Sequence, residues 1–240
     1  MRIKITLKGK DNLEIHYNYN YTLSSLIYNT IADSNLSEKL HSSDSFKFFT
    51  FSQINVKQPK FNKNGIIARN GIFSFYLSSP HDKLIQNLTQ GFLEKEIIFL
   101  NEKMNTLNVE LIKTPNFDDK VRLNTLSPII IRSKREIDGK IKIWDLPPSD
   151  DFFKGIENNL TKKYCIFNKI NQTNKQITAY SEMANVKRKR ITINTCAKTT
   201  FHRAYLMDLI LEGDTDLIKF AYDVGLGEKN SMGFGMINLE

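Results

Sequence analysis

Cysteine is scarce in this chain. Two residues, Cys165 and Cys196, occur among 240, and they form no CxxC pair. Neither a cysteine zinc site nor a disulfide framework is implied, and a lone structural disulfide has a low prior in a reduced cytosol. No run approaches the ~18 apolar residues that span a bilayer. The N-terminal MRIKITLKGK alternates basic and apolar residues where a signal peptide would carry an apolar core. A soluble, intracellular, cytoplasmic protein without membrane association is expected. The four histidines (His16, His41, His81 and His202) fall in no ligand spacing such as HExxH, so neither a metal nor a cofactor is expected. A GxSxG elbow and a GK[ST] phosphate loop are also missing.

Positive charge is what the chain has in excess. Lys and Arg number 34 against 26 Asp and Glu, a net charge of +8, with a pI near 9.3. Such a surplus suits a polyanion: nucleic acid first, an acidic membrane surface second. Charge alone fits a solubility role equally well. Apolar residues at 40% and aromatics at 11% support a packed core and exclude global disorder.

The hydrophobic periods define an element order. Ile3, Ile5 and Leu7 alternate with polar residues, a half-buried strand. Leu23, Leu26, Ile27, Thr30 and Ile31 recur at helical spacing. NLSEKLH opens on Asn35 with Glu38 three residues later, a capping-box-like start to a short second helix. FKFFTFSQI reads as an aromatic-rich strand, and Phe46, Phe48, Phe49 and Phe51 suit a buried strand better than a stacking platform. Residues 65–77 read as a strand or a hairpin turning at Asn70-Gly71. A helix follows Pro80, and a strand near residues 106–112 completes β-α-β-β-α-β.

Lys113 to Lys120 is a Pro- and Asp-containing break, and the order then repeats. VRLNTLSPIIIR is strand-like, and 134–148 is a polar excursion. A helix is capped by Ser149 or Asp150. VKRKRITIN and FHRAYLMDLILEG are strands. A helix from Asp214 ends at Gly225, and FGMINL is the last strand. The expected fold is α+β, with two tandem ferredoxin-like units, residues 1–115 and 120–240.

Between that last helix and strand runs GLGEKNSMGFG, with Gly225, Gly227, Gly233 and Gly235 around Lys229, Asn230 and Ser231. Glycines here permit φ > 0 and close backbone approach. Consecutive amides could cradle an anion, or the glycines could serve only a tight helix-to-strand connection. The stretch GLGEKNSMGFGMI, however, resembles the C-terminal glycine-rich loop of the repeat-associated RNA-binding superfamily. More narrowly, it is similar to the CRISPR repeat-cleaving endoribonucleases. Thr125 to Pro128 (TLSP), the basic VKRKRITI strand and the two-unit order extend the likeness over nearly the whole chain.

That resemblance implies metal-independent cleavage of precursor CRISPR RNA. The ribose 2′-hydroxyl attacks the adjacent phosphorus, leaving a 2′,3′-cyclic phosphate and a 5′-hydroxyl. It also implies an active site built from a tyrosine in the first helix, a histidine after it and a lysine at the next strand. Here these are Tyr28 in LIYN, His41 in KLH and Lys47 in FKFFTFS. Tyr28 lies roughly 120° from the centre of its helix's apolar stripe, so it is not a simple core aromatic. His41 would shuttle the proton with Tyr28 as partner, and Lys47 would stabilise the phosphorane; which of His41 and Tyr28 is the base stays open. Lys187, Arg188, Lys189 and Arg190 are consecutive on a strand, so two face each side. With Gly225, Gly227, Lys229, Asn230, Ser231, Gly233 and Gly235 they are the expected RNA-binding set. The expected partner is CRISPR repeat RNA, with a CRISPR effector complex and a homodimer as open options. A non-catalytic repeat-RNA-binding subunit is the alternative. His16 is expected to edge the first sheet, with RNA bases as the alternative, His202 to be structural or at the RNA groove's rim, and His81 to start a helix.

Overall fold

The computed structural model describes residues 1–33, 35, 46–182, 185–195 and 198–240. His41, Cys196 and most of the expected NLSEKLH helix lie outside the described residues.

The first half runs β1 (Arg2–Lys8), β2 (Leu13–His16), α1 (Asn20–Thr30), β3 (Thr50–Phe51), β4 (Lys60–Phe61), β5 (Gly65–Ala68), β6 (Ile72–Ser78), α2 (Asp82–Glu94), β7 (Ile97–Phe99) and β8 (Glu102–Ile112). The main sheet has the order β3-β6-β1-β8-β7. Counted within one β-α-β-β-α-β unit, that is 2-3-1-4 with β7 added at the edge, the ferredoxin-like arrangement. β1 lies antiparallel to both neighbours, with Ile5 opposite Phe75 on one side and Val109 on the other. The period of two sends Ile3, Ile5 and Leu7 to one face with Phe73, Phe75 and Leu77, all buried. α1 and α2 cover that face with Leu23, Leu26, Ile27, Leu84, Ile85, Leu88 and Phe92. Truncating any one of these leucines to alanine costs about 2–5 kcal/mol.

The second half repeats the scheme with β9 (Lys120–Thr125), β10 (Arg132–Ile137), β11 (Lys140–Asp145), α3 (Asp150–Asn168), β12 (Ile177–Tyr180), β13 (Lys187–Asn194), β14 (Thr199–Leu206), β15 (Asp208–Gly213), α4 (Thr215–Val224) and β16 (Ile237–Leu239). Its sheet order β12-β15-β9-β16 is again 2-3-1-4. The Ser149 hydroxyl accepts from the Phe152 amide to cap α3, and Asp150 and Asp151 sit where the helix dipole favours negative charge. Asp214 caps α4, and Gly225 ends it. Two hairpins, β10–β11 and β13–β14, project from this sheet as separate ribbons.

The halves are tied by Arg2. Its side chain is 1% exposed, donates to the carbonyls of Tyr222 and Ile237 at 2.8 Å each, and lies 3.5 Å from the centroid of the Tyr222 ring. Burial lowers its guanidinium to about 10, and Tyr222 and Asp223 oppose that shift.

Several elements differ from the sequence reading. FKFFTFSQI forms a strand only at Thr50–Phe51, because Phe48 takes φ 47° and breaks the extended run. The Asn70-Gly71 turn exists, but β5 and β6 do not pair with each other; β6 pairs with β1 while β5 pairs with β2. The stretch 134–148 is mostly hairpin, turning at Asp138-Gly139 with both φ positive, the geometry of a type I′ turn. FHRAYLMDLILEG is two strands in different sheets, parted at Met207.

Candidate active site and nucleic-acid interface

The glycine loop is folded back into the protein. The Leu226 amide donates to the Gly235 carbonyl, the Gly235 amide to Pro128, and the Glu228 amide to Ile130. Gly225, Gly227, Gly233, Gly235 and Asn230 are buried, while Lys229 and Ser231 stay partly exposed. At Gly235 φ is 75°, and a Cβ would overlap the Leu226 carbonyl oxygen. The close approach that glycine permits is thus made to other segments of the chain.

Side chains from three elements hold this loop, together with one of its own. Asn20 and Ser24 of α1 donate to the carbonyls of Met232 and Ser231, both at 2.8 Å. Thr50 of β3 donates to Phe234 at 2.9 Å. Within the loop, the Asn230 amide spans the Leu226 and Phe234 carbonyls. Beneath them Lys163 of α3 donates to Gly225 O at 3.0 Å, Gly227 O at 2.7 Å and Asn230 Oδ1 at 2.7 Å. Its side chain is fully buried, which pushes the ammonium down to about 7. The three acceptors work the other way, since only the charged form has three protons to donate.

Against this loop lies an open cleft of about 420 Å³. Lys47, Arg132, Lys134, Lys162 and Lys229 line it, together with Phe46, Phe48 and Ser231. Glu228 supplies negative charge, but it is engaged: its carboxylate accepts from the Arg132 backbone at 2.9 Å and ion-pairs with the Arg132 guanidinium. Burial, then Arg132, lowers Lys229 below the usual ammonium value. Tyr28 of α1 stands against two residues of that lining, Phe49 and Ser231. Its ring meets Phe49 edge-on at 5.5 Å, and its hydroxyl hydrogen-bonds the Ser231 side chain. Burial raises the Tyr28 phenol, and the Ser231 bond offsets this only partly. The structure therefore sets Lys47, Lys229 and Ser231 around one cationic hollow, with Tyr28 against its lining residues Phe49 and Ser231.

Lys187, Arg188, Lys189 and Arg190 stand elsewhere. All four are exposed on β13. Arg188 and Arg190 enter a second cleft with Trp144, Phe201 and Arg203, whereas Lys187 and Lys189 take the alternate face. His16 is exposed at the end of β2. His81 precedes α2 and packs between Phe48 and Phe167. His202 is buried, with Nδ1 3.5 Å from Asp145. No group of three or more His, Cys, Asp or Glu among the described residues could hold a metal. No described helix is long and apolar enough to cross a membrane.

Two family models cover nearly all of the chain. Residues 110–239 match CRISPR associated protein Cas6, C-terminal, and residues 14–113 match CRISPR-associated protein Cas6, N-terminal. The chain belongs to the Cas6 family. A CRISPR-associated endoribonuclease Cas6 from Methanocaldococcus jannaschii is 35% identical, over 99% of this chain and 92% of that protein. A solved structure titled CRISPR associated protein Cas6 superimposes with TM-score 0.86 at 34% identity, covering 100% of this chain and 99% of the other. Another, titled as an RAMP protein binding different RNA substrates, gives 0.87 at 26% identity, covering 100% and 99%. In this Cas6 chain the N-terminal match carries Tyr28, His41 and Lys47, and the C-terminal match carries the whole glycine loop.

Sequence reasoning missed Lys163, Arg132, Lys134 and Trp144. Lys163 did leave a signal: it follows Ile156 and Leu160 at helical spacing on the buried stripe of α3, where a lysine needs a partner. Arg132 ended a run read as one strand and Lys134 opened the stretch read as a polar excursion, so nothing placed them near Lys47.

Proposed function

We propose that this chain is a metal-independent endoribonuclease that binds CRISPR repeat RNA and cleaves precursor CRISPR RNA within its repeats. The observation that carries this is the meeting of Lys47 and the exposed part of the glycine loop at one cationic cleft, with Tyr28 against Ser231 of that loop. The ribose 2′-hydroxyl attacks the adjacent phosphorus and the 5′-oxygen leaves, giving 2′,3′-cyclic phosphate and 5′-hydroxyl ends. That reaction needs a base, an acid and positive charge for the phosphorane. Lys47 and Lys229 supply the charge. A phenol held protonated by burial suits Tyr28 as hydrogen-bond donor or acid, which leaves the 2′-hydroxyl proton to His41. In this reading residues 1–115 carry the catalytic groups, and residues 120–240 supply the loop and the basic strand. Gly225, Gly227, Gly233, Gly235 and Asn230 shape the loop, and Lys229 and Ser231 present its surface to RNA.

The test is a gel assay of end-labelled repeat RNA in EDTA, with wild type, His41→Ala and a 2′-deoxy substitution at the cut. Chelator-resistant cleavage lost with either change supports the mechanism. Tight binding without cleavage would make the chain a binding subunit, and no preference over a scrambled RNA would defeat both.

A further inference from the structure

The second cleft lies between the two hairpins and measures about 540 Å³, within the ~300–1,000 Å³ usual for ligand sites. It is separate from the first. Trp144 pairs with Ser133 across the β10–β11 ribbon, so it projects from the face opposite Arg132 and Lys134, which line the first cleft. We propose that this second cleft seats an unpaired RNA nucleotide, its base stacked on Trp144 and Phe201 and its phosphates held by Arg188, Arg190 and Arg203.

The composition of the cleft points to that ligand. Phe201 is 58% exposed, an unusual position for a phenyl ring on a ribbon edged with arginine. The Arg190 guanidinium lies 4.9 Å from the centroid of the Phe201 ring, and that of Arg135 lies 5.5 Å from the Trp144 ring. Aromatic faces bordered by guanidinium groups are what single-stranded nucleic acid requires: any base can stack, and the backbone charge is met alongside. The one carboxylate lining the cleft is already committed. Asp145 Oδ2 accepts from the Arg203 amide at 2.7 Å, and Oδ1 faces His202. Its charge is therefore turned toward the β14 backbone. The placement extends the RNA reading of the chain: a strand cut in the first cleft would continue past the β10–β11 ribbon onto this platform.

Trp144 is the only tryptophan in the chain, so its fluorescence reports on this site alone. The probe is a twelve-residue oligouridylate titrated into the full-length protein, followed by tryptophan emission and by anisotropy of an end label. The expected result is quenching that saturates with the same midpoint as the anisotropy. Phe201→Ala should weaken binding roughly five- to a hundredfold, while Phe201→Tyr keeps it. Inorganic polyphosphate, an anion without bases, should leave the emission unchanged. Phe201 is exposed enough for its truncation to spare the fold, and an unchanged melting temperature verifies that. Binding without quenching, equal affinity in Phe201→Ala, or no binding of the oligonucleotide would each overturn the proposal. Repeat-RNA cleavage is measured separately. Its failure in wild type would defeat the ribonuclease reading while leaving the stacking result to stand on its own.

Discussion

Gly235→Ala and Gly139→Ala make a matched pair that separates two uses of glycine. The two positions share a left-handed backbone, φ 75° and 70°. Around Gly139, at the tip of β10–β11, a Cβ would meet nothing within 4 Å. There alanine carries only the left-handed cost of about 1–2 kcal/mol. At Gly235 the new methyl would strike the Leu226 carbonyl oxygen. Accommodating it adds an overpacking cost of about 1–3 kcal/mol and strains the Leu226-to-Gly235 and Gly235-to-Pro128 hydrogen bonds, each worth about 1 kcal/mol. The first two costs come to roughly 2–5 kcal/mol, and losing both hydrogen bonds would raise the total to about 7, against 1–2 for the control. In a domain of this length each kcal/mol moves the melting temperature by about 2–4 °C. Thermal melts should therefore show Gly235→Ala falling several degrees further than Gly139→Ala. Equal melts, with RNA affinity lost only in Gly235→Ala, would refute the reasoning: the glycine would then be present for the RNA and not for the Leu226 carbonyl.

Tyr28→Phe keeps the ring against Phe49 and removes the bond to Ser231. Single-turnover cleavage should slow by about 10²–10⁴-fold, with repeat-RNA affinity unchanged by filter binding. The Lys163 ammonium titrates near 7 when folded and near 10.5 when unfolded. Between those values the folded chain binds fewer protons, so stability rises with pH. Urea unfolding should show that rise in wild type, by up to about 1.4 kcal/mol per unit, and a flatter profile in Lys163→Met. His202 is held below its ordinary value by burial first and then by Lys229. Its contribution is intact above about 6.5 and is lost as pH falls through the lowered folded value. Denaturation curves at pH 7.5 and pH 5 should thus converge more in His202→Asn than in wild type.

Much of the architecture was legible because it rests on short-range rules. The alternation of Ile3, Ile5 and Leu7, the stripe in α1 and the caps at Ser149 and Asp214 each speak within a few residues, and together they spell the doubled order. The errors fall where local signals compete. Asn70-Gly71 looked like a hairpin, yet β1 and β2 took the pairing, a long-range choice that no window contains. Asp138-Gly139 carried an equally strong turn signal inside a run of charges that masked the strands flanking it. The candidate site was half legible. Tyr28 and Lys47 came from the resemblance, and their approach to Ser231 and Lys229 depends on packing between the two halves. The glycines announced a special backbone but not which way it faced, because a carbonyl of the chain and a phosphate of a ligand demand the same missing Cβ.

The loop's anchors have a temporal consequence. Asn20 binds Met232 across 212 residues of sequence, Ser24 binds Ser231 across 207, and Thr50 binds Phe234 across 184. At ~5–20 residues per second of synthesis, the first helix waits roughly 10–40 s for the segment that completes its cleft. Until Gly225 to Gly235 emerge, Tyr28 has no Ser231 and Lys47 borders no loop. On the proposed function, translation itself withholds the completed cleft from RNA until the glycine loop has been made. Nascent chains stalled before Gly225 should leave repeat RNA uncut, while released chains should not.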